Sequence, residues 1–155
     1  MYRPGGFHLV HLGDTLDDGP ARYKIVHKLG FGGFSTVWLA RDEHVFQSKW
    51  VALKISTANQ WRMIRDKQDA ISTMYGSGAL GNITGYRRMF TFEGPNGVHL
   101  CVVLPVLGPS ASDLSRGLDC RLRPWLARKV GYEVAKALAK LHSHDLCHGG
   151  TLHQV

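Results

Sequence analysis

From Lys49 to Ser56 apolar and polar positions alternate: Val51, Leu53 and Ile55 share one parity, Ala52 and Lys54 the other. This predicts a strand with one packing face, whose second face sets a small residue beside an ammonium. Tyr23 to Leu29, with Tyr23, Ile25 and Leu29 on one parity, suits a second strand, and Ser35 to Arg41, with Val37 and Leu39 facing one way, suits a third. Arg88 to Glu93 and Val98 to Leu104 read as two more, joined by the dense turn signal Gly94-Pro95-Asn96-Gly97. Residues 57 to 75 are more polar and predict a helix, with Trp61, Ile64 and Met74 as candidates for burial, ended by the four glycines between Gly76 and Gly85. The expectation is an α+β fold built on a five-stranded antiparallel sheet, with one helix between its third and fourth strands.

The flanks differ in kind. Residues 1 to 22 are punctuated by Gly, Pro and Asp, keep no period, and predict an extended lead-in that turns at Asp17-Asp18-Gly19-Pro20. Pro105 to Ser112 is irregular and reads as a linker. Pro124 to about Ser143 is the clearest helix: Pro124 suits its first turn, and Leu126, Val130, Val134, Leu138 and Leu141 form one apolar stripe. The charged Arg128, Lys129, Glu133, Lys136 and Lys140 fall mostly off it. The expected organisation is a lead-in over 1–22, a sheet domain over 23–107, and a helical portion over 108–155.

Candidate chemistry begins at Leu29 to Val37, L-G-F-G-G-F-S-T-V. Without a Cβ, Gly30 and Gly32 let the backbone turn sharply and bring its N–H groups close to phosphate oxygens. The pattern G-x-G-x-x-G-x-V is met at Gly30, Gly32 and Val37, with Ser35 in place of its third glycine. On its own such a hairpin is more often a plain turn. Lys54, seventeen residues after Val37, changes the balance, because a lysine following a glycine-rich hairpin at this spacing suits a phosphate ligand.

Composition narrows the partners. The 155 residues suffice for one domain with a core, 44% of them apolar. No run approaches a membrane span, and Met1 to Val10 has no signal-peptide pattern. Cys101, Cys120 and Cys147 are odd in number and widely spaced, which favours reduced thiols and a cytosolic or nuclear setting. The formal charge of +7 raises a basic nucleic-acid-binding domain as an alternative of another class. Against it, the basic residues are scattered, with short clusters only at Arg87-Arg88 and Arg121 to Lys129, and no aromatic ladder accompanies them. His142, His144, Cys147 and His148 invite a metal reading, but a helix terminus and loop explain them as well. His8 and His11 lack a nearby third ligand and read as solvent or packing residues. Trp38, Trp50, Trp61 and Trp125 are dispersed and read as core or half-buried positions.

Taken together these stretches resemble the N-terminal part of a eukaryotic-type protein kinase, and are most similar to the serine/arginine-rich splicing-factor protein kinases (SRPK), particularly fungal members. The lead-in Tyr2 to His8 with Val10 to Asp14, the run Lys28 to Asp42, and Phe92 to Gly108 carry the resemblance, which extends over most of residues 2 to 150. It implies a kinase small lobe followed by the start of a helical large lobe. It implies ATP as ligand, with Leu29, Gly30, Phe31, Gly32, Gly33, Phe34, Ser35, Thr36 and Val37 over the phosphates. Val37 and Ala52 would sandwich the base, and Lys54 would hold the α- and β-phosphates. Leu104 falls at the gatekeeper position and Pro105 to Leu107 on the adenine-binding hinge, where Leu107 would present its N–H and C=O.

The departures are as informative. Gly150 of Cys147-His148-Gly149-Gly150 occupies the position of the catalytic aspartate. No D-F-G follows, and the chain ends at Val155, about where the metal-binding asparagine would fall. The helix after Lys54 has no glutamate, leaving Asp66 and Asp69 to pair with the lysine. Mg²⁺, expected in the family, has no ligand set here. The resemblance therefore implies an ATP-binding, N-terminal fragment of a serine/threonine kinase, inactive as written. Its partners would be ATP and Arg/Ser-rich proteins, with no membrane and no nucleic acid. The rivals are a nucleotide-binding pseudokinase and a non-functional truncated product.

Overall fold

The computed structural model describes residues 3–43, 49–75, 83–117 and 121–145. Contacts divide the chain into two units, Met1–Gly78 with Thr84–Val106, and Ala79–Ile83 with Leu107–Val155. The first holds an antiparallel sheet of six strands: β1 Thr15–Asp17, β2 Arg22–Phe31, β3 Ser35–Asp42, β4 Lys49–Ser56, β5 Arg88–Gly94 and β6 Gly97–Pro105. Their order across the sheet is β1-β2-β3-β4-β6-β5. Helix α1, Trp61–Tyr75, follows β4 and lies against β6. Trp61 and Ile64 are half-buried in it, while Met74 falls outside the described side chains.

The expected sheet had five strands; β1 is the sixth, and it lies inside the stretch read as a lead-in without period. Three residues are too few to show alternation. What makes them a strand is the turn that follows. The Gly19 amide donates to Asp17 Oδ1 at 2.8 Å and the Ala21 amide to Asp18 Oδ1 at 2.8 Å. These side-chain bonds fold the chain back so that Leu16 pairs with Tyr23.

Register places the core. Residues directly opposite one another across a ladder share a face. One face therefore collects Ile25 and Ala40, Trp38 with Leu53 and Val103, and Ile55 with Cys101. With Ala21, Tyr23 and Val51 these form the core, and Val10, Leu16, Phe90 and Phe92 pack on its margin. The alternation in β4 holds as expected, with Val51, Leu53 and Ile55 buried and Lys54 exposed. In β2 it does not hold to the end. Extra residues at Val26 and Leu29 shift the register twice, and Leu29, expected on the parity of Tyr23 and Ile25, is 47% exposed. Trp50 and Trp125, expected at least half-buried, are exposed as well.

Charged groups tie the edge. Arg88 Nη1 reaches Asp18 Oδ2 at 3.0 Å and Oδ1 at 3.2 Å, joining the β1–β2 turn to β5, and Tyr23 stacks on Phe90. Cys101 is buried, and burial pushes its thiol well above the usual range, so it is an inert packing residue.

In the second unit α2, Ala111–Gly117, opens on a reciprocal cap: Ser110 Oγ accepts from the Asp113 amide at 3.1 Å and donates to Asp113 Oδ2 at 2.6 Å. Helix α3, Pro124–His142, begins at the proline and ends with the Ser143 amide on the Ala139 carbonyl. Leu126, Val130, Leu138 and Leu141 of its stripe are half-buried and Val134 is exposed. Among the described residues no helix is long and apolar enough to cross a membrane.

Candidate nucleotide site

The face opposite the core carries the candidate site. Lys54 pairs in register with Val37 on one side and Val102 on the other; Ala52 pairs with Leu39 and with Leu104. Val37, Ala52, Lys54 and Leu104 therefore project from the same face of three adjacent strands, β3, β4 and β6. Ala52 is buried, Val37 and Leu104 are half-buried, and Lys54 is exposed. The result is an apolar floor with one ammonium at its rim. Pro105 closes β6 opposite Val51. Leu107 belongs to the second unit and is 66% exposed.

The glycine-rich loop joins β2 to β3 and is tight. The Gly32 amide donates to the Ser35 carbonyl at 2.8 Å, and the Thr57 amide donates to the Phe34 carbonyl at 2.9 Å, which pins the tip to the exit of β4. Gly32 was expected to offer its N–H to a phosphate; that N–H is spent on closing the turn. Gly33 and Phe34 remain, as their amides have no acceptor among the described residues. None of Gly30, Gly32 and Gly33 adopts the left-handed conformation, and a Cβ built on any of them meets nothing within 4 Å. The loop's own conformation and packing thus do not require glycine at these positions.

Side chains around the loop are arranged by a residue that pattern reading passed over. The Lys28 ammonium sits 5.2 Å from the centre of the Phe31 ring and 5.5 Å from that of Trp38. Trp38 Nε1 donates to Thr36 Oγ1 at 3.0 Å. Lys28 lies beside the second register shift of β2, so simple alternation could not have set it over these rings. Phe31 and Phe34 are exposed, whereas Ser35 and Thr36 are buried.

Neither expected acid reaches Lys54: among the described residues no ion pair includes it, and Asp69 lies 3.6 Å from Arg65 within α1. Among the described residues no three His, Cys, Asp or Glu side chains converge on a metal site. Gly150, Cys147 and His148 lie outside the described residues.

No protein-family profile matches the chain. Individual proteins do. It is 32% identical over 151 residues to serine/threonine-protein kinase SKY1 of Saccharomyces cerevisiae, an alignment covering 91% of this chain and 20% of that protein. With protein kinase dsk1 of Schizosaccharomyces pombe it shares 30% identity over 151 residues, 91% of this chain and 26% of the relative. With SRSF protein kinase 3 of Homo sapiens it shares 36% over 113 residues, 69% of this chain and 19% of the relative. The chain thus spans about a fifth to a quarter of the length of these curated relatives. A curled antiparallel sheet with its helix after the lysine strand, a glycine-rich loop joining the two strands that precede it, and these relatives lead to one conclusion: the chain belongs to the SRPK family of serine/threonine protein kinases.

Proposed function

We propose that this chain is the ATP-binding part of an SRPK-type serine/threonine kinase, with residues 23–107 acting as small lobe and 108–155 as the start of the large lobe. The observation that carries this is the register that sets Val37, Ala52, Lys54 and Leu104 on one face, beside a loop whose glycines would meet nothing among the described residues if each bore a Cβ. Val37 and Ala52 clamp the base, Leu104 bounds its pocket, and Pro105 presents a backbone carbonyl to its edge. Lys54, exposed and outside every described ion pair, neutralises the α- and β-phosphates. Gly33 and Phe34 supply amide donors from Leu29 to Val37. ATP would contribute the transferable phosphoryl group. Among the described residues no donor set for Mg²⁺ converges.

The substrate class proposed is SRSF-type proteins rich in Arg and Ser; the name of the human relative, SRSF protein kinase 3, and the resemblance of the sequence support it. A second reading has a specific support. Gly150 stands at the catalytic aspartate's position and offers no side chain to a substrate hydroxyl, so this chain binds nucleotide without transferring phosphate. Calorimetric titration with ATP tests the site. Losing a charge-assisted contact costs about 1.5–3 kcal/mol, so Lys54→Ala should weaken binding roughly 10- to 150-fold. Lys49→Ala, at the exposed start of the same strand, should not. Equal effects would sink the assignment. Transfer of labelled γ-phosphate to an Arg/Ser-rich peptide above the Lys54→Met background would refute the binding-only reading.

A further inference from the structure

Residues 3–10 are held to the sheet by a short set of bonds. The Gly5 amide donates to the Asn96 carbonyl at 2.8 Å, and Asn96 Nδ2 donates to the Phe7 carbonyl at 2.7 Å. The Ala58 amide donates to the Gly6 carbonyl and the Asn59 amide to the Gly5 carbonyl, each at 3.0 Å. Phe7 is 9% exposed and Val10 packs on the core, so this segment covers apolar surface as well as backbone.

At its centre two imidazoles meet. The His8 ring stands edge-on to Phe92 at 4.8 Å and lies 5.0 Å from His99. Gly94 makes the room: a Cβ there would collide with His8 Nδ1. His99 is fully buried, and its Nδ1 lies 2.8 Å from the Ser56 carbonyl. A carbonyl only accepts, so Nδ1 carries the proton and Nε2 is a bare acceptor. His99 Nε2 and His8 Nδ1 are both buried, and among the described residues neither has a hydrogen-bond partner. Neutral, the pair leaves two ring nitrogens unpaired. Protonated, it sets a charge among Phe92, the second imidazole and the glycine turn, and the Ser56 carbonyl is already bonded to the His99 ring. Asp14 is the carboxylate that acts on His8, but it is engaged by the His11 amide at 2.7 Å and stands beside the His11 ring at 3.5 Å.

We propose that His8, packed against His99 and Phe92, is a pH-sensitive latch that holds residues 3–10 on the sheet while its ring is neutral and releases them when it takes up a proton. Burial, and then the neighbouring His99, hold His8 below the ordinary histidine value of 6.5, with Asp14 opposing weakly. A released segment therefore binds the proton more readily than a docked one. The latch is at full strength above pH 6.5 and weakens as pH falls from there toward the lower docked value.

Amide hydrogen exchange on the full chain tests this without any nucleotide, so its outcome is separable from the kinase reading. Protection factors at Ala58 and Asn59, corrected for intrinsic rates, should fall between about pH 7.5 and about pH 5.5, by at most about tenfold per unit for one proton. Thr57, bonded to Phe34 and not to the segment, should keep its protection. In His8→Phe, which keeps an aromatic edge against Phe92 and takes no proton, the fall should vanish. Constant protection in the wild type, or a fall that persists in His8→Phe, overturns the proposal. Should that variant not fold, the wild-type His8 Cε1 resonance decides: a midpoint below 6.5 that coincides with the loss of protection supports the latch, and one at or above 6.5 refutes it.

Discussion

Replacing Gly33 by alanine should separate what this loop does for the chain from what it does for a ligand. Gly33 is not left-handed, and a Cβ there meets nothing within 4 Å, so the folded state accommodates the methyl freely. The unfolded chain loses freedom, which favours folding by about 0.4–1 kcal/mol. Denaturant midpoints should therefore stay or rise. Nucleotide affinity should move the other way, since the methyl sits beside the amides of Gly33 and Phe34 that are open to a phosphate. Loss of one hydrogen bond to a charged group, about 1.5–3 kcal/mol, predicts roughly a 10- to 150-fold rise in the ATP Kd. Gly97→Ala is the internal standard. Its φ is +121° and its Cβ would lie 3.1 Å from that of Ala58, so it should destabilise by about 1–3 kcal/mol and leave ATP affinity alone. If Gly33→Ala behaves like Gly97→Ala, destabilising with unchanged affinity, glycine serves the loop's own conformation and the phosphate reading fails.

Three further outcomes follow from the packing. Leu53→Ala, at a fully buried position between Trp38 and Val103 in register, should cost about 2–5 kcal/mol in urea unfolding, while Trp50→Ala, 52% exposed, should stay within about 0.5 kcal/mol. Asp18→Asn keeps an acceptor for the Ala21 amide but loses the charge and the second oxygen that accepts from Arg88, a change of about 1–3 kcal/mol; Asp18→Ala loses the Ala21 bond as well, and equal losses would show that the turn bond contributes nothing. Burial raises the Tyr23 phenol from 10.0 to about 12, so its absorbance should titrate late. A raised value favours the neutral phenol in the folded state. Stability from this source is therefore full below about pH 10 and lost as pH climbs toward 12, and Tyr23→Phe should abolish that slope.

Much of this protein was legible in the order of its residues. Alternation in Lys49–Ser56 placed Val51, Leu53 and Ile55 inward and Lys54 outward, because a strand's side-chain period of two does not depend on its neighbours. The Gly94–Gly97 turn, the helices after Thr57 and from Pro124, and the loop–lysine spacing are local or nearly local in the same sense. Tertiary structure decided the rest. It made Thr15–Asp17 a strand, because two aspartates and an arginine 70 residues away fix a turn that three residues cannot announce. It turned Leu29 outward and Lys28 over two rings, because two bulges in β2 break the alternation from which such positions are read. It spent the Gly32 amide on Ser35 and left those of Gly33 and Phe34 without an acceptor among the described residues, a distinction of hydrogen-bond geometry within one loop that no residue type encodes. And it brought His8 beside His99, ninety-one positions apart, because the strand ladder and the space above Gly94 exist only once the sheet has formed.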